Sequence, residues 1–229
     1  MKYIFLETRN SVDFNAICRE LEDPTSLIGP SLAMITGPAG RGKSEAAKHY
    51  IIHNDAVYIP PINIRTPTMV LREITFELCK VRPSRSEACL NLIGGEMAKK
   101  RRLIIIDEAD LLPPLILEML RNLNERFACP VMFIGEEELK AKVEKKRRIS
   151  SRMRHRMEFE PVTQVDIHLF FLKALNIKIA PEVSAVIHKH SKGDWRPVIT
   201  TALALERALK ANNLKEITQQ LVKDVTGNS

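Results

Sequence analysis

The sequence predicts an α/β fold built on a parallel sheet, followed by a smaller helical region. Short apolar runs alternate with segments of helical periodicity as far as Pro161. After Pro161 the strand signals stop and the remaining segments have helical periodicity. Parallel strands need crossover helices, and these cover both faces of the sheet. We therefore expect an α/β domain over residues 1–160 and a helical domain over residues 161–229.

The predicted strands are short runs rich in apolar residues. In chain order they are Leu32–Thr36, Ala56–Pro60, Arg102–Asp107, Pro130–Gly135 and Arg156–Pro161. The segments between and after them place apolar residues on single helical faces. These faces consist of Leu71, Ile74 and Leu78; of Ile116, Leu120, Leu123 and Phe127; and of Val198, Ala202, Leu205 and Leu209.

A glycine-rich loop follows the first strand. Residues Gly37–Ser44 read GPAGRGKS and fit the phosphate-loop pattern G-x-x-x-x-G-K-[ST]. The glycines let backbone N–H groups turn toward a β-phosphate, and the helix that follows adds partial positive charge. Lys43 would reach the β- and γ-phosphates, and Ser44 would bind Mg²⁺. The sequence therefore predicts a site for ATP and Mg²⁺.

The segment RLIIIDEAD predicts the second half of that site. Asp107 ends a buried parallel strand at the edge of the sheet where the phosphate loop lies, so its carboxylate can hold Mg²⁺. Glu108 is suited to deprotonate an attacking water, which indicates hydrolysis. Asp110 is interpreted as a cap of the next helix.

Two other nucleotide enzymes share parts of this pattern. A small-molecule kinase has the phosphate loop but needs no carboxylate to activate water. A D-E-A-D helicase has both motifs, but this chain has no S-A-T after the next strand and is too short for a second motor domain. The sequence therefore favours an ATP hydrolase over both.

Two residues outside these motifs are candidates for sensing the γ-phosphate. Glu136 follows a strand expected between the phosphate loop and Asp107, and it is equally compatible with capping the helix EELKAKVEK. Arg196, in KGDWRPV, begins a helix of the second domain. Its guanidinium could bind the γ-phosphate, and an exposed arginine after a turn is the alternative.

The composition is that of a soluble protein in a reducing compartment. No apolar run approaches the roughly 20 residues of a membrane helix, and MKYIFLETRN lacks a signal-peptide core. We expect a cytoplasmic protein without a membrane partner. The four cysteines show neither C-x-x-C pairing nor a metal-binding group.

A basic run follows the fourth strand and predicts a DNA-binding surface. The net charge of +7 makes a polyanion a reasonable partner. Aromatic residues make up only 5% of the chain, so sequence-neutral duplex binding fits better than base stacking. The alternative is a solvated helix end that serves a subunit interface, and Lys99–Arg102 is interpreted as solvated. The basic residues of the run are Lys140, Lys142, Lys145, Lys146, Arg147, Arg148, Arg152, Arg154 and Arg156.

The order of these motifs resembles a known family. GPAGRGKS, LIIIDEADLL, FIGEEEL, SSRMRHRMEFEP and GDWRPV together resemble an AAA+ ATPase of the initiator-like branch. Within it, the chain is most similar to the transposition helper ATPases of the Mu B, TnsC and IstB/TniB types. The resemblance extends from Phe14 to Ala211. It implies a P-loop AAA+ core with a five-stranded sheet in the order 5-1-4-3-2, and a small helical lid.

The resemblance also implies roles for individual residues. Lys43, Ser44, Asp107 and Glu108 match the nucleotide, Mg²⁺ and catalytic positions, and Arg196 matches the lid sensor. An arginine from the neighbouring subunit completes such sites, with Arg152 the first candidate and Arg148 the second. Glu136 stands where the family has an amide. The full set expected at the nucleotide is Gly37, Pro38, Ala39, Gly40, Arg41, Gly42, Lys43, Ser44, Glu45, Glu136 and Arg196.

The implied activity is ATP hydrolysis stimulated by DNA and by assembly. Such proteins form rings or helical filaments on double-stranded DNA in the bacterial host cytoplasm and help a transposase select or activate target DNA. The residues left for DNA are Lys140, Lys142, Lys145, Lys146, Arg147, Arg154 and Arg156. A regulatory switch ATPase acting on a protein partner, of the secretion-associated type, is the alternative.

Overall fold

The structure is a computed structural model that describes residues 1–23, 25, 29–60, 66–214 and 216–227. The described residues divide into two compact units. The α/β unit lies within Ser11–Pro38 and Lys43–Phe159, and the helical unit within Met1–Asn10, Ala39–Gly42 and Glu160–Ser229. The helical unit thus includes residues 1–10 and 39–42, which the sequence analysis assigns to the first domain. The domain boundary between residues 160 and 161 stays a prediction.

In its described part, the α/β unit contains a five-stranded sheet with the order β2-β3-β4-β1-β5. All its strand pairs are parallel. Read from the other edge, this is the predicted order 5-1-4-3-2, so the predicted fold class is confirmed. The strands are β1 (Leu32–Thr36), β2 (Val57–Ile59), β3 (Ile104–Ile106), β4 (Val131–Ile134) and β5 (Met153–Glu158).

Strand β5 begins at Met153, earlier than the predicted Arg156. It is an edge strand that pairs with β1. Its second to fourth residues, Arg154, His155 and Arg156, are polar and lie partly or fully in solvent. The apolar runs that indicate central strands are therefore missing at its start.

The helices between the strands cover both faces of the sheet. In β1, Leu32 and Met34 face one core, whereas Ala33 and Ile35 face the other. Helices α1 and α2 pack on the second face, and the remaining helices of the unit on the first. The helices are α1 (Arg9–Glu22), α2 (Lys43–His53), α3 (Pro67–Cys79), α4 (Ser86–Lys99), α5 (Pro114–Phe127), α6 (Glu137–Glu144) and α7 (Arg147–Ser150), with a 3₁₀ turn at Ala109–Leu111.

The helical unit has its own apolar core. The predicted stripe of α10 (Trp195–Ala211) is buried there and consists of Val198, Ala202, Leu205 and Leu209. Thr163 and Asp166 form a capping box at the start of α8. The elements are α8 (Gln164–Phe170), a π-helical segment (Phe171–Leu175), α9 (Pro181–Ser191), α10 (Trp195–Ala211) and α11 (Gln219–Thr226).

Two further features concern the whole described chain. None of its helices is both long enough and apolar enough to cross a membrane. All four cysteines are free thiols, and Cys18, Cys89 and Cys129 are buried. Burial raises the pKa of the Cys129 thiol to about 12, which leaves it protonated and unreactive near neutral pH.

Candidate nucleotide site

The phosphate loop connects β1 to α2, and α2 begins at Lys43. The Lys43 ammonium donates to the carbonyl oxygens of Gly37 at 2.6 Å and Pro38 at 2.8 Å. Lys43 is only 8% exposed, so a buried positive charge lies against the start of the loop. Gly42 has a φ of 93°, a left-handed conformation that glycine adopts without steric cost. The Lys43 ammonium is therefore held at the start of the loop by two backbone carbonyls.

The tip of the loop is held by the segment Gly193–Trp195. The backbone N–H of Trp195 donates to the Gly40 carbonyl at 2.9 Å. The Arg41 guanidinium donates to the carbonyls of Gly193 and, at 3.2 Å, of Lys192. Arg41 is expected at the nucleotide, but its side chain is engaged with these carbonyls, so only its backbone remains a candidate.

Asp194 adds a constraint on the loop that the sequence analysis missed. Its carboxylate accepts the N–H of Arg196 at 2.7 Å and caps α10. The same carboxylate lies where a side chain on Gly40 would begin. Arg196 is the second residue of α10, which confirms its predicted place at a helix start. The sequence does contain a signal for the Asp194 cap, because aspartate is a preferred residue immediately before a helix.

Asp107 directly follows β3 and is buried, with 5% exposure. Its Oδ1 accepts the backbone N–H of Glu108 at 2.9 Å. Its Oδ2 accepts the Tyr58 hydroxyl at 2.6 Å. Tyr58 lies on β2, and the sequence indicates it only as part of an apolar strand. Burial, this hydrogen bond and nearby carboxylates raise the pKa of Tyr58, so its hydroxyl remains a donor.

Glu108 is exposed and lies in the left-handed region with a φ of 48°. This conformation is uncommon for a residue other than glycine. Desolvation raises the pKa of its carboxyl, and the charges of Asp107, Asp110 and Glu136 raise it further. A carboxylate with a raised pKa is a better proton acceptor for an attacking water.

Asp110 has a different role from the predicted one. It lies within the 3₁₀ turn, and the position before α5 is occupied by Pro113, so Asp110 does not cap that helix. Its Oδ1 instead accepts the backbone N–H of Glu136 at 3.1 Å. Glu136 follows β4, which lies between β1 and β3 as expected. Glu136 occupies the N-cap position of α6, but its side chain makes no capping hydrogen bond.

These residues fit a nucleotide with Mg²⁺. The loop offers N–H groups at a helix start and a buried ammonium, and Asp107 offers a buried carboxylate at the sheet edge. Within the part of the chain that the structure describes, no group of three or more His, Cys, Asp or Glu side chains could hold a metal ion. Mg²⁺ with one or two protein ligands and phosphate oxygens suits such a site, and Ser44 and Asp107 would hold it.

A separate arginine-rich pocket of about 320 Å³ lies on the α/β unit. It includes both predicted trans-acting arginines. The Arg152 Nε lies 3.0 Å from one carboxylate oxygen of Glu125, and Arg121 lies 2.7 Å from the other. Arg121 and Glu125 do not follow from any sequence pattern, because only the fold brings α5 beside the segment that follows α7. The lining residues are Arg121, Glu125, Arg148, Ser151 and Arg152.

The predicted DNA-binding residues lie on α6, on α7 and the chain before it, and on β5. Lys142 is half-buried and donates to the carbonyls of Asp110 and, at 3.2 Å, of Leu112. Its ammonium therefore serves this fold contact. Arg154 is half-buried as well. The exposed members of the set are Lys140, Lys145, Lys146, Arg147 and Arg156.

The other basic group, Lys99–Arg102, is largely paired. Lys99 binds Glu96 at 2.7 Å, and Lys100 binds Asp55 at 2.8 Å. Arg102 approaches both of these acids. Lys99 and Lys100 are exposed, whereas Arg101 and Arg102 are half-buried, so the interpretation of the whole group as solvated stays a prediction.

Comparisons with known proteins place this geometry in a family. The AAA domain family matches residues 28–143. The ATP-dependent target DNA activator B of Escherichia phage Mu is 32% identical over 108 residues, which are 46% of this chain and 35% of that protein. The chain thus matches about a third of the length of this relative.

Solved structures agree on the fold. The ORC2 protein of Aeropyrum pernix superposes with a TM-score of 0.74 at 17% identity, over 99% of this chain and 70% of that chain. Cdc6p of Pyrobaculum aerophilum superposes with a TM-score of 0.72 at 18% identity, over 98% of this chain and 68% of that chain. At such identities the likeness concerns the fold. Since the family match spans half of the sequence, the chain belongs to the AAA domain family, and it resembles the transposition helper ATPases.

Proposed function

We propose that this chain is an ATP-dependent, largely sequence-neutral DNA-binding ATPase that oligomerises on DNA and helps a transposase select or activate target DNA. The observation that carries the proposal is the pairing, in one α/β unit, of a buried Lys43 on the phosphate loop with a buried Asp107 followed by Glu108. A site for phosphate binding alone would not need the carboxylate of Glu108 in addition to that of Asp107.

The proposed chemistry assigns one task to each group. Lys43 and the loop N–H groups bind the phosphates, and Ser44 and Asp107 orient the metal. Mg²⁺, when bound with ATP, neutralises phosphate charge. Glu108 accepts the proton of the attacking water. Arg196 is proposed to sense the γ-phosphate, and Arg152 or Arg148 to reach the γ-phosphate of a neighbouring copy.

The DNA part of the proposal rests on the exposed basic residues and on the relative. Lys145, Lys146 and Arg147 lie consecutively in solvent at the start of α7. Such residues bind phosphates without reading sequence. The phage Mu relative is described as an activator of target DNA that depends on ATP. A transposase is therefore proposed as the protein partner, and assembly of many copies as the active form.

The test measures binding of the wild-type chain to random-sequence duplex DNA at low salt, with ATP, ADP or no nucleotide. We expect ATP-dependent binding and a hydrolysis rate that rises with added DNA. Lys43→Ala, which removes the loop cation, should abolish both effects. DNA affinity that is the same with ATP, with ADP and without nucleotide contradicts the proposal. A hydrolysis rate that DNA leaves unchanged, but that a bound protein partner changes, would favour the regulatory switch instead.

A further inference from the structure

Tyr58 and Asp107 are brought together by the register of two neighbouring strands. Tyr58 of β2 pairs with Ile105 of β3, and Asp107 comes two residues after Ile105. Side chains two residues apart in extended backbone share a face, so Tyr58 and Asp107, which directly follows β3, lie on the same face of the sheet. The backbone N–H of Asp107 also donates to the Ile59 carbonyl at 3.1 Å. The ladder thus fixes the backbone of Asp107 beside Tyr58.

The backbone ladder does not fix the carboxylate itself. The carboxylate plane can rotate about its last bond unless its oxygens are held. One oxygen accepts the Glu108 N–H at 2.9 Å and the other accepts the Tyr58 hydroxyl at 2.6 Å. A short hydrogen bond to an ionised acceptor is among the stronger ones in proteins. The two donors together define one orientation of the carboxylate.

We infer that Tyr58 is a positioning residue, which holds the Asp107 carboxylate in the orientation that binds Mg²⁺ together with the nucleotide. The inference rests on the proposed function, because it concerns the metal of that same site. An ionised carboxylate has about four lone-pair positions, so two donors leave others for a metal. Residues that orient a metal ligand in this way typically change metal affinity about 10–100-fold when they are replaced.

The charges near the Tyr58 hydroxyl favour this role over a purely structural one. Glu45, Asp107 and Glu108 all place negative charge close to that hydroxyl. Carboxylates brought together repel one another, and a neutral donor keeps one of them in place without neutralising it. The Tyr58 ring packs beside the apolar face that includes Ile105. A phenylalanine would keep that ring and lose only the donor.

The test is Tyr58→Phe, measured by titrating Mg²⁺ into the chain with a fluorescent ATP analogue. We expect the Mg²⁺ concentration for half-maximal binding to rise about 10-fold or more. Binding of the analogue in EDTA should stay as in the wild type, which shows that the nucleotide site is folded. Tyr50→Phe is the matched control. It removes a tyrosine hydroxyl that donates to the Glu22 carboxylate, and its Mg²⁺ titration should match the wild type.

A double variant separates positioning from other effects of the substitution. In chains with Asp107→Asn, Tyr58→Phe should cause no further change in Mg²⁺ dependence. The effects of two substitutions do not add when both act through the same group. An unchanged or lower Mg²⁺ requirement of Tyr58→Phe alone overturns the inference and leaves the proposed function standing. Nucleotide binding by the wild type that is indifferent to Mg²⁺ overturns both.

Discussion

Arg152 and Glu125 form an ion pair within one chain, with 3.0 Å between the Arg152 Nε and a Glu125 carboxylate oxygen. The two side chains are 51% and 38% exposed. Ion pairs of this kind contribute about 0–1 kcal/mol, because water and salt compete for both charges. The pair is therefore weak enough for Arg152 to leave Glu125 if, as proposed, it binds a phosphate of a neighbouring copy.

Replacing Arg152 with alanine should abolish ATP hydrolysis and leave nucleotide binding intact. A cation supplied in trans typically raises such rates by about 10³–10⁵. Steady-state hydrolysis and binding of a fluorescent ATP analogue measure the two properties separately. Arg126→Ala is the control, since Arg126 is an exposed arginine on α5 that does not line the pocket. If Arg152→Ala hydrolyses ATP at the wild-type rate, Arg152 is not the trans-acting residue.

Replacing Glu125 with glutamine should allow assembly-dependent hydrolysis at lower protein concentration. Arg152 would lose its partner within the chain, so the protein concentration for half-maximal hydrolysis should fall, by at most about fivefold for an exposed pair. Hydrolysis is measured against protein concentration. Glu118→Gln removes an acid that pairs with Arg121 at 3.2 Å, and it should leave the curve in place. A curve that moves to higher concentration would show that Glu125 supports the pocket.

Replacing Glu108 with glutamine should slow hydrolysis by about 10²–10⁴ and leave ATP binding intact, because the amide cannot accept the proton of water. The assembly with ATP should then persist on DNA, and electron microscopy or sedimentation after ATP addition would detect it. Glu137→Gln, on the first turn of α6, is the control. Rapid hydrolysis by Glu108→Gln would require another base.

The sequence predicts most of the α/β sheet because its central strands are buried on both faces. The predicted and observed bounds of β1, Leu32–Thr36, are the same at both ends. The half-exposed start of β5 is not predicted. Lys43 and Asp107 follow from motifs of fixed spacing. Tyr58 and Glu125 do not, since strand register and helix packing bring them to their partners. Local patterns contain no information on such contacts.

Replacing Gly40 with alanine should weaken nucleotide binding and destabilise the fold. Gly40 has a φ of 76°, and a Cβ there would collide with the Asp194 carboxylate. The left-handed backbone alone costs a residue with a side chain about 1–2 kcal/mol. Urea unfolding and nucleotide titration measure the two effects.

Gly95→Ala is the matched control for Gly40→Ala. Gly95 lies within α4, and a Cβ there has no neighbour within 4 Å. Alanine should stabilise this helix by about 0.5–1 kcal/mol. Wild-type nucleotide affinity and stability in Gly40→Ala would show that the loop tip can move away from Asp194.

Replacing Lys145, Lys146 and Arg147 together with alanine should weaken DNA binding and reduce its salt dependence. Each lost phosphate contact lowers the slope of log affinity against log salt by about 0.9 for duplex DNA. The slope should therefore fall by up to about three if all the cations contact phosphates. Fluorescence anisotropy with labelled duplex over a salt series measures it. Lys100→Ala is the control, because Lys100 is an exposed cation paired with Asp55. Its slope should match the wild type, and an unchanged slope in the triple variant would exclude this segment from the DNA interface.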